Sequence, residues 1–297
     1  MDLVLKKGST SLTLCRPDIK DPYYRGTRFD RSGIVTSLKY RGHSFVSQWF
    51  RKYDPYMHDA VCGPAEEFTQ IGYDRHKPGK PFLKIGVGLP ACRDEDYDRF
   101  KLYELLVPGT RSFRCSGDMA EFGQRLNVSG YGYDYIKRVS LPEDGLLRIE
   151  HSLSNLAAES IDCYVYNHNF FVLDGAFTGK DTRFTLPFRP QGNWRADYDC
   201  VELNGNCIVF SRNLDENESV FMGNLNAGAT IKGWAFRLEN LANGLTVDAS
   251  SDADMEYAVF WANHEVACLE PYTPLHIAPG ECFKWKIDYR FSLAEGR

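Results

Sequence analysis

The chain has 297 residues, 43% of them hydrophobic, and a formal net charge of -5. That length and composition can bury a large core within one domain, and the mild acidity mainly favours solubility. Both signs of charge are spread along the chain with no basic block able to follow a phosphate backbone, which excludes nucleic acid as a partner.

From the N-terminus, Met1 to Lys7 offers a three-residue apolar run between charges, too short for a signal-peptide core. No segment approaches the ~20 apolar residues that span a bilayer, so no membrane partner and a cytoplasmic setting are expected. Leu12–Cys15, Gly33–Tyr40, Leu102–Val107 and Tyr131–Val139 are short runs rich in β-branched or aromatic residues. Leu147–Leu153, Ser219–Met222 and Cys282–Phe291 alternate apolar with polar, the period of half-buried antiparallel strands. Pro142–Gly145, Asn204–Asn206, Ala242–Gly244 and Pro279–Gly280 supply turns between them. Cys62–Val87 is different, with Glu66, Glu67, Asp74, Arg75, His76, Lys80 and Lys84 among glycines and prolines. It reads as a charged loop, either solvated or binding, and the last residues, Ala294–Arg297, as a frayed tail.

Amphipathic helices are nearly absent and no linker divides the chain. The pattern predicts an all-β fold, a large antiparallel β-sandwich occupying residues 1–297 as a single domain. At roughly 15 residues per strand and turn it would hold about 15 to 20 short strands. The nine cysteines have irregular spacing and no CxxC, so they read as free thiols in a reducing compartment. The histidines show no HxH or HExxH spacing, and no metal site is expected.

Two residues carry the candidate chemistry. His168 lies in Tyr166-Asn167-His168-Asn169-Phe170-Phe171, directly after the strand-like run Ile161–Tyr166. Glu270 lies in Val266-Ala267-Cys268-Leu269-Glu270-Pro271, read as the end of an apolar strand before a turn. Taken singly, a histidine in an aromatic strand is more often a hydrogen-bonded structural residue, and a glutamate before proline a solvated strand end. Together, delivered by two strand ends, they are an acid and a base suited to proton shuttling.

These pieces resemble the galactose mutarotase-like superfamily, which includes the aldose 1-epimerases. Tyr24–Gly33 followed by Leu38–Gly42 looks like its early strand pair. Tyr166–Phe171 is similar to its Asn-His-x-Tyr-Phe motif, whose histidine is the catalytic acid. Cys268–Pro271 with Ala278–Glu281 and a final aromatic strand looks like its C-terminal signature, whose glutamate is the base. Glu66–Phe68 through Phe82–Gly88 resembles a less characterised branch. The family's Gly-Arg-x-x-Asn-Arg and His-Gly-Gly segments have no counterpart here; by approximate position Arg28 stands in for the sugar-gripping arginine and His76 for the second histidine.

The resemblance implies a supersandwich with a ligand groove, and exchange of α and β anomers of an aldohexose or related sugar. Glu270 would take the C1 hydroxyl proton and His168 would protonate the ring oxygen, with no cofactor. Unperturbed glutamate (~4.3) is ionised at neutral pH and histidine (~6.5) is poised. Arg28, Arg75, Lys84 and Asn167 are candidate hydroxyl or phosphate binders, with His76 beside them, and Phe170, Phe171, Tyr164, Tyr166 or Trp261 could stack on a sugar ring. The expected partner is a small-molecule sugar, bound by a monomer or homodimer. The alternative is a non-catalytic carbohydrate-binding protein on the same fold. A third reading, a polysaccharide lyase or glycosidase, usually carries an additional helical domain that this length and pattern do not allow; a glycosidase would also want paired carboxylates, for which adjacent Glu66 and Glu67 are a weak candidate because neighbouring strand residues face opposite ways.

Overall fold

A computed structural model describes residues 2–17, 20–128 and 130–294; residues 295–297 of the expected tail lie outside them. Alternation of apolar and polar residues produces what period two demands. Antiparallel strands dominate, and the described residues contain one single-turn 3-10 helix, Tyr73–Arg75. No helix among the described residues is long and apolar enough to cross a membrane.

Two large sheets lie face to face. The ten-stranded sheet is centred on Met119–Val128, Tyr131–Ser140, Leu146–Asn155, Cys282–Leu293 and Leu245–Ser251. The six-stranded sheet runs in the order Asn193–Trp194, Ser219–Gly223, Tyr257–Asn263, Ala267–Ile277, Ile161–Phe170, Gly63–Phe68. Smaller sheets of four and two strands bring the described strands to 22. That exceeds the expected 15 to 20 because pieces as short as Leu89–Pro90 form ladders of their own.

Successive side chains of the six-stranded sheet take opposite faces. Cys163, Val165, Phe171, Ala258, Phe260, Ala262, Leu269, Leu275 and Ile277 face the ten-stranded sheet and join Tyr135, Leu147, Ile149, Ile287, Tyr289 and Phe291 in the main core. The intervening residues face away from that core, onto the surface that becomes the candidate site.

The structure corrects several sequence expectations. Gly63–Phe68, assigned to a charged loop, is a fully buried strand. Its carboxylates defeated the pattern because each is neutralised inside the fold. Glu66 accepts from Nζ of Lys137 and from Asn167 Nδ2 at 3.1 Å, and lies 3.0 Å from His151 Nε2. Burial alone would raise its pKa, but Lys137 and His151 pull it down to about 2. The strand of Ile161–Tyr166 continues to Phe170, which places the histidine motif within it. Glu270 is also inside a strand, Ala267–Ile277, despite two prolines.

That last strand tolerates proline because it changes partners midway. Ala267–Tyr272 pair with Tyr257–Ala262 on one side, and Tyr272–Ile277 pair with Ile161–Tyr166 on the other. Each half is laddered on one side only, the situation in which a missing N–H is tolerated. Leu102–Val107 contributes only Leu105–Val107 as strand.

Lys137 is fully buried between Glu66 and Asp30, 3.8 Å from the latter. Lys137→Met leaves both carboxyls without their cation and should cost about 3–5 kcal/mol in urea denaturation. Adding Glu66→Gln should recover part of that loss.

Candidate functional site

The partner change opens a gap in the six-stranded sheet. The ladder between the His168 strand and the Glu270 strand ends at the pair Tyr166–Tyr272. Continuing its register by two residues sets His168 opposite Glu270, with no backbone pairing between them. His168 and Phe170 pair instead with Ala65 and Gly63 on the far side. Asn169 spans the gap: its Nδ2 donates to the Leu269 carbonyl at 2.7 Å and the Asn167 carbonyl at 3.1 Å, while its Oδ1 accepts from Tyr289 at 2.9 Å. One side-chain amide thus replaces ladder bonds that would otherwise be missing in a buried place.

Across this opening, His168 Nε2 and Glu270 Oε1 lie 3.2 Å apart, both side chains buried. The imidazole lies flat on Phe170 (3.9 Å, 8°) with Trp261 edge-on at 5.5 Å. Among the described residues its buried Nδ1 has no hydrogen-bond partner. Burial pushes His168 well below the usual imidazole value; Arg28 pushes the same way, Glu67 opposes, and Arg99 adds a smaller lowering. Burial raises Glu270 to about 7, against the opposing charges of Arg28 and Arg99. The protonation states expected from unperturbed values are therefore shifted: burial favours an uncharged imidazole at neutral pH and brings the carboxyl's titration up toward neutrality.

A cavity of about 440 Å³ stands over the pair. Its floor is one face of the six-stranded sheet: Phe221, then Trp261, Val259 and Tyr257, then Glu270 and Tyr272, then His168 and Phe170. Loops add Arg28, Trp49, His58, Asp59, Arg99, Phe100 and Arg195. Mostly apolar walls with a few convergent polar groups are usual for a small-molecule site.

Arg28 lies in this cavity as expected, held by Glu67 Oε2 at 2.7 Å from its Nε and by the Tyr166 hydroxyl at 3.0 Å from its Nη2. The other expected binders do not line it. Asn167 is one residue from His168 and so faces the opposite side, donating to Glu66. Lys84 is fully buried and donates to Glu67 at 3.1 Å and to the Phe68 carbonyl at 2.5 Å, with its charge spent on the protein itself. Arg75 and His76 line a separate hollow, where Arg75 is 3.7 Å from Glu159 and His76 Nε2 is 2.9 Å from the Tyr131 hydroxyl. The loop carrying them folds toward a different face. Of the aromatic candidates, Phe170 and Trp261 reach the cavity, whereas Phe171 packs in the main core.

Besides His168, the cavity is lined by His58, which sequence position alone did not single out. Burial lowers its pKa, against the pull of Asp59. Tyr257 and Tyr272 could have been found by continuing the alternation outward from Trp261 and Glu270. His58, Arg99 and Arg195 sit on loops and carry no such signal. A carboxylate–thiol group, Asp199, Cys200 and Glu218, comes together elsewhere, but Arg212 already pairs with Asp199 at 2.7 Å and with Glu218 at 2.8 Å.

No family model and no curated sequence matches this chain. Solved structures do. A galactose mutarotase-related enzyme from Lactobacillus acidophilus superimposes with a TM-score of 0.61 at 12% identity, covering 98% of this chain and 97% of its own. A galactose mutarotase-like protein from Clostridium acetobutylicum gives 0.60 at 14%, covering 98% and 95%. A GalM/aldose epimerase homologue from C. elegans gives 0.55 at 11%, covering 99% of each chain. The chain has the galactose mutarotase-like fold, and at these identities fold is what the likeness shows.

The raised pKa of Glu270 makes a stability prediction. A carboxyl that holds its proton more tightly when folded stabilises fully below its unfolded pKa of ~4.3, and that contribution is lost as pH rises to about 7. Glu270→Gln should therefore be more stable than wild type at pH ~8, by up to roughly 3 kcal/mol, and nearly equal to it near pH ~4. Urea denaturation at both pH values checks this.

Proposed function

We propose that the protein is a carbohydrate epimerase of the aldose 1-epimerase type, interconverting the anomers of an aldohexose or related sugar by general acid/base ring opening. The observation that carries this reading is the 3.2 Å approach of His168 and Glu270 on the floor of an aromatic cavity. Solved structures of the same fold include a galactose mutarotase-related enzyme, which supports a sugar as the ligand.

The chemistry is balanced by one proton. Ionised Glu270 removes the C1 hydroxyl proton as the carbonyl forms, the C1–O5 bond breaks, and protonated His168 delivers its proton to O5. The pair then stands as neutral imidazole and carboxylic acid. After rotation about the C1–C2 bond, the ring closes on the other carbonyl face with the roles exchanged. The two states of the pair hold the same single proton, so no external donor is needed.

Burial sets where that proton rests. Desolvation favours the neutral form of both groups, so the proton sits on Glu270 before substrate arrives, and the ion pair that opens the ring is the less populated arrangement of the same single proton. Trp261 and Phe170 offer flat apolar surface for the sugar ring, and Arg28, fixed by Glu67, points a cation at the site without needing to reorganise.

Anomer exchange of α-D-glucose and α-D-galactose, followed by polarimetry, tests the reading. Wild type should exceed buffer for at least one aldose, and His168→Ala or Glu270→Gln should fold and lose two or more decades, about 3 kcal/mol or more. Calorimetric sugar binding with no exchange in wild type would leave a carbohydrate-binding protein instead.

The pH profile is a second test. The one-proton pair is lost when Glu270 finally ionises, so kcat/KM should fall on the alkaline side of about 7. A profile still rising through pH ~8 would contradict the assignment.

A further inference from the structure

The cavity carries more positive charge than its own acids offset. Behind it, the single carboxylate of Glu67 is approached by three cations: Arg28 at 2.7 Å, Lys84 at 3.1 Å and Arg99 at 3.7 Å. Glu67 is held far below the usual carboxylate range; burial would raise it, but Lys84, Arg28 and Arg99 prevail. That group therefore keeps a net positive field directed at the cavity through Arg28 and Arg99, both of which line it. Burying unmatched charge is costly unless a counter-ion completes it.

Arg195 stands at the other end of the floor. Its guanidinium lies 3.9 Å over the Phe221 ring, which props it above the cavity. Among the described residues it has no ion-pair partner, and its guanidinium makes no hydrogen bond. The acids lining the cavity are Asp59, beside His58, and Glu270 itself. The Phe221 strand is separated from the Glu270 strand by one intervening strand, so roughly 10 Å divides them at the usual strand spacing. A sugar whose C1 meets His168 and Glu270 would direct its remote substituent toward that end.

We infer that the substrate is an anionic sugar, bearing a phosphate or carboxylate on the carbon remote from C1, and that Arg195 receives the acidic group. This rests on the epimerase reading for the placement of C1, though not for the anion site itself. Arg195 suits the role better than Arg28 and Arg99. Those two help to hold Glu270 within reach of ionisation, and an anion drawn onto them would cancel that help. A planar guanidinium free of protein carboxylates can also grip a phosphate or carboxylate through two parallel N–H bonds. Attraction across the cavity would add to the encounter rate at low salt.

The test compares anomer exchange of D-glucose, D-glucose 6-phosphate and D-glucuronate by NMR exchange spectroscopy. At least one anionic sugar should show kcat/KM about tenfold or more above glucose. High ionic strength should shrink that advantage, and Arg195→Gln should bring the ratio toward unity. The better of the two anionic sugars identifies the acidic group. Equal kcat/KM for neutral and anionic sugars would overturn the inference while leaving the epimerase reading intact, and so would a preference untouched by Arg195→Gln. If no sugar exchanges, calorimetric titration with the same three sugars decides the anion site separately. Tighter binding of an anionic sugar, lost in Arg195→Gln, supports it; no difference from glucose overturns it. Arg195 is exposed, so the variant should retain the wild-type melting temperature.

Discussion

Beyond Tyr166 and Tyr272, two neighbouring strands stop bonding to each other, and the candidate site depends on that break. A continuous ladder would close the sheet with ordinary cross-strand packing. Here the strand of Glu270 exchanges one partner for another at Tyr272, and Asn169 bridges the opening with its amide. Pro271 and Pro274 belong to the same arrangement, since each lies where only one side of the strand is laddered. The sheet gives up a few regular backbone bonds, and an imidazole and a carboxyl come to face each other from adjacent strands.

The second element is the back-to-back pair of buried glutamates. Glu66 faces the core with Lys137, His151 and Asn167; Glu67 faces the cavity side with Arg28, Lys84 and Tyr166. One strand thereby fastens the site from both faces. On the core side the charges are locked into the sandwich. On the cavity side they hold Arg28 rigidly and surround the His168–Glu270 pair with positive potential. Burial and this field oppose one another at Glu270; burial prevails and raises its pKa, and the field holds the rise to about 7. At His168 they act together, since desolvation and Arg28 both disfavour the charged imidazole. The single proton of the pair accordingly rests on Glu270, and its transfer to His168 sets up the acid and base whose roles then exchange.

Much of this was legible in the sequence wherever period two applies. The long strands Tyr131–Ser140, Leu146–Asn155 and Cys282–Leu293 follow their apolar alternation, and His168 and Glu270 were singled out by motif. The gaps have physical causes. Gly63–Phe68 looked like a loop because two adjacent carboxylates oppose a buried strand unless partners arrive from elsewhere; the chain supplies them from Arg28, Lys84, Lys137 and His151, spread over more than a hundred positions. Asn167 adjoins His168 in the motif, but neighbouring positions on a strand face opposite sides, and its amide donates to Glu66 instead. His76 matches the family's second histidine only by approximate position and lines a separate hollow, whereas the loop geometry brings His58 to the cavity. Loop approaches of this kind are set by tertiary packing, and local pattern does not encode them.

The central claim is that His168 and Glu270 act as one proton-sharing unit across the opened ladder. The most direct measurement is a double-mutant comparison of anomer-exchange rates for His168→Ala, Glu270→Gln and the variant carrying both. Groups that work only together lose nearly everything when either is removed, so the double variant should be about as slow as the slower single variant. If instead the two losses multiply, each residue contributes independently, and the account of a shared proton is contradicted.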